Sequence, residues 1–433
     1  MAKKQLKPDS IRHRNRVESS TRQPKPSNSS SKNLHGSNNR RIFAIIAVVF
    51  IASSAVSILV YRRVKHLSPP SLSVHQRGLV KEDVTFQEIL SENSRVSENI
   101  SQRHFTNSVL AYITPWNAAG YDLAKRFCPK FTHLSPVWYN LKTEGTKLAL
   151  EGRHNADTEW LSELRLRGNA QVLPRVVLEA VPKDLLRNKK QRDKAINLLL
   201  KECKDMGYDG LVLESWSRWA ADGVLYDASL RKMALQFVKQ LGDSLHNFRS
   251  QRNGQPLQLV YVIGPPYSQS GKLQAHDFGP EDLKTLSDSV DGFSLMTYDY
   301  SSPYSPGPNA PLTWVHSTIK LLLGDGGKSL ANKIFVGINF YGNNYILAEG
   351  GGAQAITGRD YLSLVDRYKP MMRWKKDFAE HFFLYSDDQH REHAVFYPTL
   401  MSIAERLEEA RSWGAGISIW EIGQGLDYFF DLL

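Results

Sequence analysis

From Ser108 to the C-terminus, short apolar runs alternate with longer amphipathic stretches, and this alternation limits the fold more than any other feature of the chain. The runs are VLAYITPWN, FTHLSPVWYN, AQVLPRVVLEA, DGLVLES, LQLVYVIGPP, DGFSLMTYDY, KIFVGINFYG and AGISIWEIG. Between them lie stretches such as AINLLLKECKDMG, LRKMALQFVKQLGDSLHNF, GPEDLKTLSDSV, APLTWVHSTIKLLL and LMSIAERLEEARSWG. Near-continuous apolar runs are strands covered on both faces, as in a parallel sheet with crossover helices. Eight strand–helix units over this length predict a closed (β/α)8 TIM barrel rather than an open doubly wound sheet. No G-x-G-x-x-G follows the first run, which removes a dinucleotide fold. The unit between Tyr341 and Gly414 is longer than the rest. HFFLY and AVFYP, around SDDQHREH, predict a small hairpin insertion before the last helix.

The formal net charge is +11, and its position decides its meaning. Lys3, Lys4, Lys7, Arg12, Arg14, Arg16, Arg22, Lys25, Lys32, Arg40 and Arg41 face only Asp9 and Glu18. Most of the excess lies in this tail, so no nucleic-acid surface is expected on the remainder. Residues 1–41 are rich in Ser, Asn, Pro, Lys and Arg, the composition of a disordered segment. Ile42 to Tyr61 is uncharged and mostly apolar, with about the 20 residues that a bilayer core requires of a helix. The larger basic excess on its N-terminal side predicts a single-pass type II signal anchor, with the tail cytosolic and the rest luminal or extracellular. The polar region before the run is too long for a cleaved signal. Residues 62–104 read as a polar stem holding a short helix within Glu82 to Glu98, and 105–433 as the barrel. In that topology Asn99-Ile100-Ser101 can accept a glycan. Cys128 and Cys203 either pair or remain as buried thiols.

Functional residues of such a barrel sit at the C-terminal ends of its strands. Those ends supply Trp116, Asn117, Trp138, Tyr139, Glu179, Glu214, Trp216, Pro265, Pro266, Tyr298, Asp299, Asn339, Tyr341, Trp420 and Glu421. Indoles and phenols pack on the ring faces of sugars, and carboxylates accept hydroxyl hydrogen bonds, so the set suits an oligosaccharide. Asp387, Asp388, His390 and His393 are metal-ligand types, but a turn between two strands carries the same residues and no metal is expected. No H-E-x-x-H, P-loop or G-x-S-x-G occurs, and no cofactor is expected. In Tyr208–Trp216 (YDGLVLESW), residues two apart share a strand face, which aligns Val212, Glu214 and Trp216. Sugar hydrolases need a protonated acid beside the glycosidic oxygen and a second charge-stabilising group. Glu214 is the single carboxylate on that face.

Together ITPWN, THLSPVWYN, YDGLVLESW, DGFSLMTYDYS, PGPNAPLTWV, NFYGNNY and ISIWEIGQGLDYFFDLL resemble glycoside hydrolase family 18 over about residues 109–433, and within it a branch of chitinase-like lectins. Active members carry D-x-x-D-x-D-x-E on the fourth strand. In that pattern Asp209 keeps the first position, Val212 replaces the second Asp, Glu214 replaces the third, and Trp216 stands where the proton-donating Glu belongs. Tyr298 and Asp299 match the element that contacts the substrate N-acetyl group, and Trp420 matches the indole under the central sugar. The resemblance implies a substrate-assisted mechanism in which the N-acetyl oxygen attacks the anomeric carbon. An indole N–H does not donate a proton at neutral pH, and general-acid catalysis is worth about 10²–10⁴-fold. The expectation is a cleft that binds chitin-type or other N-acetylated oligosaccharides with little or no hydrolysis. Trp116, Trp138, Trp216, Tyr298, Asp299, Tyr341 and Trp420 would line it. Two other readings stand beside it. One is an active glycosidase with Glu214 as the acid, since Glu reaches one methylene further than Asp, and with Asp209 in support. The other is a scaffold that binds a receptor protein, its sugar cleft vestigial.

Overall fold

Every residue of the strand Val109–Ile113 is buried, as a strand covered on both faces must be. The computed structural model describes residues 36–67, 72–95, 97, 99–145, 147–266, 272–324, 326–348 and 350–433. The expectation for the first 35 residues lies outside them. Among the described residues, eight parallel strands close into a barrel: Val109–Ile113, His133–Glu144, Arg175–Leu178, Gly210–Glu214, Gln258–Ile263, Gly292–Leu295, Ile334–Asn339 and Gly416–Trp420. The first strand closes the ring by pairing with the second (Leu110 opposite His133) and with the eighth (Val109 opposite Ile417). This is the (β/α)8 fold that the alternation predicts.

Strand alternation splits the core into two layers. Leu110, Tyr112, Leu173, Val212, Val260, Val262 and Phe335 fill the barrel, with Met296 and Trp420 packed against them. Leu211 and Leu213 point the other way, into the layer shared with Phe237 and Leu241 of the helix Ala228–His246. Gly210 opens the fourth strand at φ +149°, and a Cβ there would lie 2.1 Å from the Gln258 carbonyl oxygen. Only glycine permits that approach of strands four and five.

The insertion is larger than a hairpin. Glu380–Ser386 and Glu392–Phe396 do pair antiparallel, but they are the centre of a five-stranded sheet. Its order is Ala353–Ile356, Gly342–Ile346, Glu392–Phe396, Glu380–Ser386, Arg373–Lys375. Asp387 serves the turn: its Oδ1 accepts the backbone N–H groups of Gln389 and Arg391, each at 2.9 Å. Among the described residues no group of three His, Cys, Asp or Glu side chains is placed to hold a metal.

From Ser71 on, the segment read as a stem belongs to the barrel unit, which begins there rather than at residue 105. Val74, Ile89 and Phe105 are buried in its core. Helix Phe86–Asn93 carries a capping box of Thr85 and Glu88. Arg77 binds Glu92 at 2.5 Å, and the His381 ring meets the Glu82 carbonyl at 2.8 Å. The local sequence looks polar because only scattered apolar residues face inward. Cys128 and Cys203 are buried free thiols, each with a carbonyl contact, to Leu164 at 3.9 Å and Gly210 at 3.7 Å. Apart from this unit, helix Gly36–Leu67 is long and apolar enough over Phe43–Tyr61 to cross a membrane.

Candidate functional site

The fourth strand sends Val212 and Glu214 into the barrel, Val212 within the inner layer and Glu214 at its open end. Arg175 of the third strand lies opposite Val212, and Val177 opposite Glu214, so Arg175 points inward as well. Its Nε donates to Glu214 Oε2 at 2.5 Å, and its Nη2 binds the same oxygen. The two side chains keep 13% and 21% of their exposure, Arg175 and Glu214 respectively, so this ion pair looks onto the mouth. The guanidinium also lies over the Trp420 ring, 5.0 Å from its centroid. Tyr112 packs on that indole at 5.2 Å with its ring tilted by 57°. Its hydroxyl donates to Ser294 at 2.9 Å, and Ser294 donates to Ser418 at 3.1 Å. Burial pushes the Tyr112 phenol above its ordinary value, so it stays a neutral donor.

A second cluster follows the sixth strand. Asp299 adopts φ 61°, a left-handed conformation that costs a non-glycine residue about 1 kcal/mol. Two hydrogen bonds hold it, and a ring contact supports the second. Asn309 Oδ1 accepts the Asp299 N–H at 2.7 Å, the Tyr341 hydroxyl donates to its carboxylate, and Tyr298 sits edge-on to Tyr341 at 6.3 Å. The backbone N–H groups of Asn309 and Ala310 donate to Glu380 at 3.0 and 2.6 Å. Arg406 completes that buried carboxylate from the last helix at 3.0 Å. The insertion thus fixes Asp299 through Asn309. Burial pushes the Tyr298 phenol well up, and the charges of Glu214 and Asp299 act in the same direction. Tyr298 therefore stays neutral.

Trp116, on the loop after the first strand, is 69% exposed. Beyond Trp420 the alternation turns Glu421 away from the mouth. It is 1% exposed, accepts Asn117 Nδ2 at 2.6 Å and the Gly423 N–H at 3.0 Å, and burial pushes its carboxyl up to about 7.

Three expected site residues lie elsewhere. Asp209 precedes the fourth strand, at the end opposite the mouth. It is buried and accepts the Val172 N–H at 2.9 Å and the Ser250 hydroxyl at 2.6 Å, so it staples the barrel floor and takes no part in the mouth. Trp138 is buried in the outer layer, with its indole N–H on the Tyr121 hydroxyl at 2.7 Å. Ordinary alternation causes this, because Val137 faces the barrel interior and the next side chain must face outward; the register shift between Val137 and Tyr139 turns Tyr139 outward as well. Trp216 is 3% exposed and also belongs to the outer layer. Its strand ends at Glu214, Ser215 leaves the extended region (φ −151°, ψ −26°), and Trp216 opens the helix Trp216–Ala221. Its N–H donates to the His276 carbonyl at 3.1 Å and its ring meets Phe278 edge-on at 4.9 Å.

The sequence pattern described as "Glycosyl hydrolases family 18" matches residues 183–425, more than half of the chain. The chain belongs to that family. Among curated family relatives, the cortical fragment-lytic enzyme of Bacillus subtilis (strain 168) is 28% identical over 198 residues, which is 43% of this chain and 42% of that one. The chain spans about half the length of the curated relatives it matches. The chitinase of Chromobacterium violaceum ATCC 12472 superposes with a TM-score of 0.62 at 20% identity, covering 76% of this chain and 98% of the other. A mutant family 18 chitinase from Cycas revoluta, solved in complex with (GlcNAc)4, superposes with a TM-score of 0.62 at 14% identity over 75% and 97%. These likenesses show the shared barrel.

Membership of family 18 supports a carbohydrate-binding or hydrolytic function. Within this family 18 barrel, Arg175 is the mouth residue that the strand-end inventory passes over. A signal was present: a guanidinium inside AQVLPRVVLEA is a charge in a buried strand, and such charges are rare unless paired. Glu214 is that pair.

Proposed function

We propose that the mouth of this barrel binds chitin-type, N-acetylated oligosaccharides and does not cleave them. The observation that carries this reading is the ion pair of Arg175 and Glu214. Hydrolysis of a glycoside passes through an oxocarbenium-like state, and a guanidinium at the floor of the mouth opposes that growing positive charge. The carboxylate nearest the floor has one oxygen engaged by that guanidinium. Trp216, which the family pattern aligns with the proton donor, has its N–H on the His276 carbonyl. Surfaces suited to sugar rings remain in Trp420, Tyr298, Asp299, Tyr341 and Trp116. The (GlcNAc)4 complex of the Cycas revoluta chitinase makes the same ligand class the first to try here. The motifs fit best the chitinase domain-containing protein 1 branch, chitinase-like lectins. The apolar helix supports a type II anchor with the barrel luminal or extracellular.

A second reading rests on Glu214 Oε1, which has no hydrogen bond among the described residues and leaves one carboxyl oxygen open to the mouth. Hydrolysis through that carboxyl is its prediction. Calorimetric titration of chitohexaose, with product analysis by mass spectrometry after long incubation, separates the two. Binding without products is expected, weakened at least about tenfold by Trp420→Ala, as for an indole at the centre of an interface. Flat titrations would remove the lectin reading, and cleavage abolished by Glu214→Gln would establish the second.

A further inference from the structure

The second barrel strand, His133–Glu144, runs past the barrel and turns back into the antiparallel strand Lys147–Glu151. The third strand ends at Leu178, and helices Pro182–Arg187 and Lys189–Met206 follow. Between these two exits lies a groove of about 770 Å³, lined by residues that include Thr143, Lys183, Asp184, Arg187, Asn188 and Lys189. Both exits leave the barrel at strand C-termini, so the groove stands on the rim of the mouth that holds Arg175 and Trp420.

Its charge is unlike that of the rest of the unit. Of the 55 Lys and Arg and 44 acidic residues, 14 and 2 precede residue 71, which leaves 41 against 42 from there on. Within that neutral background, residues 183–194 (KDLLRNKKQRDK) carry six basic side chains and two Asp. Among the described residues Lys183 and Arg187 form no ion pair, and Lys189 pairs with Asp193 at 2.7 Å in an exposed position. The long helix begins beside the groove with Lys189 and Lys190 and with no acid in its first turn. The positive end of its dipole adds to those charges, so the positive potential is concentrated in a concave site. Like charges at the positive end of a helix weaken it, and a bound anion would relieve that repulsion.

We infer that this groove takes the carboxylate- or sulfate-bearing residues of an acidic oligosaccharide whose N-acetylated sugars occupy the mouth. The inference rests on the sugar-binding reading above. A glycan is the occupant, rather than a lipid surface, because the site is concave, stands at the same end of the barrel as the mouth, and offers Thr143 and Asn188 beside its cations for hydroxyl groups.

The test compares a hyaluronan hexasaccharide, in which N-acetylglucosamine alternates with glucuronate, with neutral chitohexaose. Titrations use the full chain and its Lys183→Gln/Arg187→Gln/Lys189→Gln variant, whose changes are all on exposed side chains. Hyaluronan binding is expected to exceed chitohexaose binding, to weaken as salt rises, and to fall about tenfold in the triple variant. Chitohexaose affinity stays unchanged. An unchanged hyaluronan affinity in the variant, or an equal loss for both sugars, overturns the inference. If chitohexaose binds and hyaluronan binds no better, the groove fails while the mouth reading stands. If only hyaluronan binds, and the variant loses it, the groove stands and the chitin-type reading fails. Loss of binding to phosphatidylserine vesicles in the variant, with hyaluronan affinity intact, reassigns the groove to lipid and overturns the inference.

Discussion

The substitution Trp216→Glu would place a carboxyl where the proposed alignment puts the proton donor, and the geometry around Trp216 says it will not act there as an acid. The side chain is 3% exposed and packs between the strands and the outer helices. A buried indole removes about 150–250 Å² from water, worth about 4–6 kcal/mol at roughly 25 cal/mol per Å². The Glu methylenes recover about 1–2 kcal/mol of that. The hydrogen bond to the His276 carbonyl, 3.1 Å long, is lost, at about 1 kcal/mol. The new carboxylate would meet Arg231, whose guanidinium lies 4.9 Å from the Trp216 ring but is already paired with Asp282 at 2.5 Å. The sum is near the ~3–5 kcal/mol typical of removing a buried Trp, a large part of the ~5–15 kcal/mol that holds a domain folded. Urea unfolding of wild type and variant, monitored by far-UV circular dichroism, should therefore show a loss of about 4 kcal/mol. Chitohexaose incubated with the variant should yield no cleavage products. A variant within about 1 kcal/mol of wild type that hydrolyses chitohexaose would mean that residue 216 faces the mouth, and the account of this strand end would be wrong.

Two further outcomes follow from buried charges. Arg175→Met leaves the Glu214 carboxylate unpaired and should cost about 1–3 kcal/mol, less than for a fully buried pair because both groups are partly exposed. In denaturant titrations the double variant with Glu214→Gln should lose at least about 1 kcal/mol less than the sum of the singles, and additivity would dismiss the pairing. Burial pushes the Glu421 carboxyl from 4.5 up to about 7. The fold therefore favours its protonated form, so the contribution of Glu421 to stability is greatest below about pH 4.5 and is lost as pH rises through about 7, by up to ~3 kcal/mol. Unfolding measured from pH 4.5 to 8 should show this slope in wild type and a flatter one in Glu421→Gln; equal slopes would remove Glu421 as the titrating group.

Much of the candidate site's layout was legible because a closed barrel gathers the C-terminal ends of its strands at one mouth. Tyr298, Asp299 and Tyr341 come together, and Trp420 lies with Glu214 through Arg175. Trp216 failed where strand alternation stops, at the turn after Glu214, and Trp138 failed because alternation from the inward-facing Val137 turns it outward. Asp209 failed for another reason. A motif preserves order along the chain, and its first position lies at the far end of the strand from the mouth. Arg175 escaped notice because its partner is on the next strand, and such a pair is visible only once strand register is known.

The chain's own order of apolar runs determined the barrel, the position of the insertion and the membrane-length helix, because burial on both faces, or on none, leaves a local signature in consecutive residues. Tertiary structure alone decided that Val74 and Ile89 join the barrel core, that Trp216 turns outward, and that a guanidinium rests on Trp420. Those outcomes depend on neighbours brought together by strand register and on the single residue at which a strand becomes a helix, and neither is written in the periodicity of any one segment.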